Sequence, residues 1–142
     1  MDGLIPVYTK FYETPVGFNE ALGYAYDALV HAAPFDAMSA WKALSERVKQ
    51  GIYMGEGLLL PHTRVAGLEK PLMAFCVCPA GFTGIEIRGG ETAKFMCVLI
   101  SPAESALAHT QAIAGVAKLM LNPEWKARAL AAVDDSGVKS LF

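Results

Sequence analysis

Residues 72–79 read LMAFCVCP, an unbroken apolar run closed by a proline. Successive side chains of a strand point to opposite faces, so a half-buried strand alternates apolar with polar. A run that does not alternate predicts a strand buried on both faces, as in sheets covered by helices on each side. A second such run, KFMCVLIS at 94–101, predicts a second central strand. Together they point to an α/β fold: a single-domain mixed β-sheet flanked by helices on both faces.

The segments around these runs supply the helices. From Asn19 onward, Ala21, Leu22, Ala25, Tyr26, Leu29 and Val30 form a helical stripe. Asp36 is placed to cap a second helix carrying Met38, Trp41, Leu44 and Val48, and Gly51 stops it. A long helix is predicted from about Ser105 to Leu121. Asn122-Pro123-Glu124 combines a cap, a first-turn proline and an acidic first turn, which marks another helix start. A short last helix follows Asp134-Asp135. LIPVY (4–8) predicts a short strand. GIEIR (84–88) alternates and predicts a half-exposed strand, turned by Gly89-Gly90.

A chain of 142 residues suits one domain, taken as 1–142. With 54% hydrophobic and 18% charged residues it has material for a large core. The net charge of −2 and the lack of a basic block argue against a nucleic-acid partner. No apolar run is long enough to span a membrane, and MDGLIPVYTKF has neither the basic nor the apolar region of a signal peptide. The three cysteines, Cys76, Cys78 and Cys97, lie in apolar stretches without metal-ligand spacing. This fits a reducing, cytoplasmic setting and no structural metal.

Nucleotide-binding fingerprints and the HExxH metal motif are absent. GGETAK (89–94) resembles the tail of a phosphate loop but lies between two expected strands. The histidines remain. His31 ends the first helix, a surface or structural position. His62 lies in GEGLLLPHTRV (55–65), where Pro61 is expected to end a strand and leave His62 on a rigid turn, two residues before Arg64. His109 falls near the start of the long helix. A lone helical histidine is usually structural, whereas two histidines with nearby arginines suit phosphoryl handling. Spacing alone leaves both readings open.

GEGLLLPHTRVAGLEKPLMAFCV resembles the active-site segment of the fructose/mannitol-type enzyme IIA domains of the sugar phosphotransferase system, with their Gly-x-Gly-apolar-Pro-His motif. HTQAIAGVAKLMLNPEWKARALAA resembles the family's second histidine helix and its junction, and KFMCVLISP its strand ending in proline. The likeness runs from about Gly51 to the C-terminus. It implies the same mixed sheet between helices and no cofactor. It implies that a phosphohistidine carrier protein donates a phosphoryl group to His62, with His109 as the second active-site histidine.

Arg47, Thr63 and Arg64 are then the candidate phosphoryl-stabilising residues. Thr63 stands where the family usually has Gly or Ala, Arg47 follows Glu46 where the family has Arg-Glu, and Ile52 replaces a frequent threonine. The resemblance includes a nitrogen-regulatory branch that binds transporters and kinases according to its phosphorylation. The chain length, without an attached IIB or IIC segment, leads us to expect that role first. A sugar-specific IIA serving a IIB domain comes second. A non-catalytic domain of the same fold, as in anion exchangers, is disfavoured because both histidines are present.

Overall fold

Both apolar runs lie at the centre of one sheet. The structure is a computed structural model, and residues 4–142 are described. They form the strands β1 (Tyr8–Phe11), β2 (Val16–Gly17), β3 (Leu58–Leu59), β4 (His62–Val65), β5 (Leu72–Val77), β6 (Phe82–Thr83) and β7 (Phe95–Pro102). The helices are α1 (Phe18–Ala32), α2 (Ala37–Gln50), α3 (Ala106–Met120), α4 (Pro123–Leu130) and α5 (Asp135–Lys139). In the five-stranded sheet β1 pairs β5 in parallel, β5 pairs β7 antiparallel, and β7 pairs β3 and β4 in parallel. β2 and β6 make a small separate parallel pair.

The absence of alternation in β5 and β7 has a simple cause, because each strand feeds two cores. Leu72, Ala74, Cys76, Met96, Val98 and Ile100 face α1 and α2. Met73, Phe75, Val77, Phe95, Cys97 and Leu99 face α3, α4 and α5. Fully burying one such large side chain stabilises by roughly 1.5–3 kcal/mol. The cysteines are part of this packing, and burial pushes the Cys76 thiol up to about 12, so it stays protonated.

The helix starts behave as their sequences predict. The side chains of Asp36, Ser105, Asn122 and Asp134 each accept the N–H three residues on, and Pro123 occupies the first turn of α4. Gly51 ends α2 with φ 106°, a conformation that favours glycine. Two strand expectations are corrected. The first strand is Tyr8–Phe11, not 4–8: Pro6 has no N–H, and the ladder opens at Val7, whose N–H bonds the Met73 carbonyl at 2.9 Å. GIEIR is not a strand. Gly84 has φ 75°, the segment runs into a 3-10 turn at Arg88–Gly90, and Ile85 and Ile87 are half-buried against the α1/α2 core. Its alternation reflects packing without a neighbouring strand.

Candidate active site

Pro61 does not end the edge of the sheet. Leu58 stands opposite Phe95 and His62 opposite Leu99, so β3 and β4 share one register along β7 with Leu60 and Pro61 between them. The side of Pro61 that would carry an N–H faces β7, so the missing donor interrupts the ladder between β3 and β4 without ending it. The Pro61 carbonyl still accepts the Leu99 N–H at 3.0 Å, while the Leu60 N–H turns away to the Ile52 carbonyl at 2.8 Å. His62 is therefore the first residue of β4 rather than part of a turn beyond a strand. Strand alternation puts it on the α3 face with Leu99, and it is only 7% exposed.

The partners of His62 fix its tautomer. Nδ1 lies 2.7 Å from the Leu60 carbonyl oxygen, and Nε2 lies 3.1 Å from a terminal nitrogen of Arg47. A carbonyl can only accept and a guanidinium can only donate. Nδ1 therefore carries the proton, and Nε2 presents its lone pair to Arg47. Burial pulls the His62 pKa below its ordinary 6.5, outweighing the opposite pull of the Leu60 carbonyl, and the Arg47 charge lowers it further. The ring is neutral near pH 7, as a nitrogen nucleophile must be.

Arg47 comes from the last turn of α2, and its other terminal nitrogen donates to Gln50 Oε1 at 3.3 Å. His109, in the first turns of α3, holds its ring 5.6 Å from that of His62, with the planes inclined by 33°. Burial lowers its pKa, with smaller contributions from His62, Arg64 and Arg47.

The other two sequence candidates are placed differently. Thr63 pairs with Ile100, so its side chain belongs to the face toward α1 and α2, opposite His62. Arg64 shares the His62 face, but its guanidinium donates to the Ala103 carbonyl. Leu58 and Leu60 are buried in the α3-side core, while Met54 is half exposed. His31 is exposed and bonds the Asp27 carbonyl.

A groove of about 800 Å³ between the N-terminal segment and α3, lined by Ile5, Val7, Met73, Ala112 and Leu119, contains no histidine. No group of three metal-ligating side chains occurs among the described residues. No helix among them is long and apolar enough to cross a membrane. Of three orphaned buried polar atoms among the described residues, one, the Tyr12 hydroxyl, lies in the α1/α2 layer, and the other two were not foreseeable from sequence. His109 Nδ1 and Ser101 Oγ are buried without a hydrogen bond among the described residues. Only the register of β7 against β4 brings Ser101 to this face.

The model of the family described as "Phosphoenolpyruvate-dependent sugar phosphotransferase system, EIIA 2" matches residues 16–142. The chain belongs to this EIIA family. Solved structures share its fold. The nitrogen regulatory protein IIA-Ntr from Neisseria meningitidis superposes with a TM-score of 0.77 at 17% identity, covering 96% of this chain and 94% of that one. IIA mannitol from Escherichia coli gives 0.71 at 20% identity, covering 95% of each. The Escherichia coli complex of enzyme IIA-mannitol with phosphorylated enzyme IIB-mannitol gives 0.71 at 17% identity, covering 95% and 93%. No curated protein matches the sequence.

Proposed function

We propose that this EIIA domain carries a phosphoryl group on Nε2 of His62, received from a phosphohistidine carrier protein. One observation carries the reading. The Leu60 carbonyl holds the proton on Nδ1, which leaves Nε2 as the nucleophile, with Arg47 and His109 beside it. The Nε2 lone pair attacks phosphorus. The Nε2–P bond forms as the P–N bond of the donor's phosphohistidine breaks, and the donor imidazole recovers its electron pair. The transition state is loose, with charge spread over the equatorial oxygens, so the protein contributes position and positive donors.

Arg47 caps the lone pair before transfer and moves from Nε2 to a phosphoryl oxygen as the new bond forms. Its side chain comes from an exposed residue at the end of α2, free to make that movement. His109 faces the same oxygens. The side chains of Thr63 and Arg64 take no part, the first facing the other side of the sheet and the second donating to the Ala103 carbonyl. The donor is already activated, so the step needs no nucleotide or metal.

Downstream, we read the protein first as a nitrogen-type regulator, whose phosphorylated and free forms are distinguished by a target transporter or kinase. A sugar-type relay to a IIB domain is the second reading. It is favoured by the shared fold with an enzyme IIA captured in complex with phosphorylated IIB. Incubation with a phosphorylated histidine carrier, read by intact mass, tests the first step. Wild type gains one acid-labile, base-stable phosphate and His62→Ala gains none. Label persisting on His62→Ala refutes the assignment. Transfer of that phosphate onto a mannitol-type IIB cysteine selects the relay over the regulator.

A further inference from the structure

Ser101 is 0% exposed, yet its hydroxyl finds no partner among the described residues, and neither does the buried Nδ1 of His109. Buried polar atoms are nearly always satisfied, so two orphans in one region call for a common explanation.

The register puts them together. His62 stands opposite Leu99 and Arg64 opposite Ser101, and alternation along β7 turns Ser101 to the same face as Leu99, beneath α3. Paired strands are about 5 Å apart, so these four residues form one small patch. The chain then folds straight back over it. The Ser105 N–H bonds the Pro102 carbonyl, and Ser105 caps the helix whose first turns carry His109. The His109 ring lies 5.6 Å from the His62 ring at one side of the patch. Arg64, on the same face as Ser101, donates its guanidinium to the Ala103 carbonyl instead.

We propose that one bound water bridges the Ser101 hydroxyl and Nδ1 of His109, donating to Nδ1, and so keeps the ring proton on Nε2, toward the phosphoryl position on His62. Ser101 is thus a positioning residue, acting only through His109. Neutral imidazole has one donor and one acceptor nitrogen, so a partner at one nitrogen decides what the other offers. Without the hydroxyl, the proton is free to occupy Nδ1, which leaves a lone pair facing phosphoryl oxygens that need a donor. The role in transfer rests on the phosphoryl-carrier reading, whereas the tautomer does not.

The test is ¹⁵N–¹H long-range correlation of the histidine rings in the unphosphorylated protein at pH 7.5, for wild type, Ser101→Ala and Ser101→Thr. The expected wild-type pattern has the His109 proton on Nε2 and Nδ1 shifted as a hydrogen-bonded acceptor. Ser101→Ala should lose that Nδ1 shift, Ser101→Thr should restore it, and the His62 signals should stay unchanged as the control for folding. Phosphoryl transfer to Ser101→Ala should slow about tenfold, the worth of one hydrogen bond at the upper end of its range. A wild-type His109 protonated on Nδ1, or an Nδ1 signal identical in wild type and Ser101→Ala, overturns the proposal. Absence of transfer in wild type, with the tautomer pattern as expected, would instead fault the carrier reading alone.

Discussion

At the scale of single residues, carbonyl and guanidinium chemistry, rather than an ionised base, leaves the His62 lone pair on Nε2, the atom proposed to react. The Arg47 charge lowers the His62 pKa, so Arg47→Met should move that pKa upward, toward 6.5, in an NMR titration. In the proposed transfer the same variant also lacks the donor to developing charge, a loss that typically costs about a hundredfold in rate. A variant with unchanged titration and unchanged transfer would remove Arg47 from the site. Acid acts through both rings. Below 6.5 the unfolded chain binds protons that the folded histidines resist, because burial lowers both of their pKa values. Folding stability contributed by their neutrality is therefore present above pH 6.5 and declines as pH falls from there through the lowered folded values. Denaturant unfolding at pH 7.5 and 5.5 should show this loss in wild type and a smaller loss in His62→Gln/His109→Gln. An equal loss in both would place the acid sensitivity elsewhere.

At the scale of elements, caps and apolar runs were legible in the sequence and strand neighbours were not. Asn122-Pro123-Glu124 states a helix start through local chemistry, and Asn122 caps α4 through its Oδ1. Asn122→Ala should therefore lower stability by about 1 kcal/mol, measured by urea unfolding, while leaving transfer to His62 unchanged. A slowed transfer would show that α4 is coupled to the site. GIEIR misled because alternation records which side chains are buried, not whether a partner strand exists. The Pro61 reading failed for a related reason. Pro61 does interrupt the ladder after β3, but the chain resumes as β4 on the same partner, and that continuation is set by β7, a segment distant in sequence. Arg47 could be aligned with a family arginine, but its reach depends on how α2 packs against β4. Ser101 was invisible for the same kind of reason, as its neighbours are set by pairing between distant segments.

At the scale of the whole molecule, one sheet divides two cores, and the site occupies the edge where helices from the two layers approach. α2 delivers Arg47 from one layer and α3 delivers His109 from the other, with His62 between them. The opposite edge is closed by α5. Asp135 accepts the Phe11 N–H at 2.7 Å and pairs with Lys10, which blocks further strand pairing along β1. The α3-side core is anchored by Phe75, fully buried and in ring contact with Phe95, Trp125 and Phe142. Phe75→Ala should cost about 3–5 kcal/mol in denaturant unfolding. A cost under about 1 kcal/mol would mean that the aromatic cluster does not hold that layer together. The most direct test of the central claim is to phosphorylate ¹⁵N-labelled protein with a phosphohistidine carrier and identify the phosphorylated nitrogen by ³¹P–¹⁵N NMR. The account predicts a single P–N bond, to Nε2 of His62, with Nδ1 still protonated. A bond to Nδ1 of His62, or to His109, would contradict it.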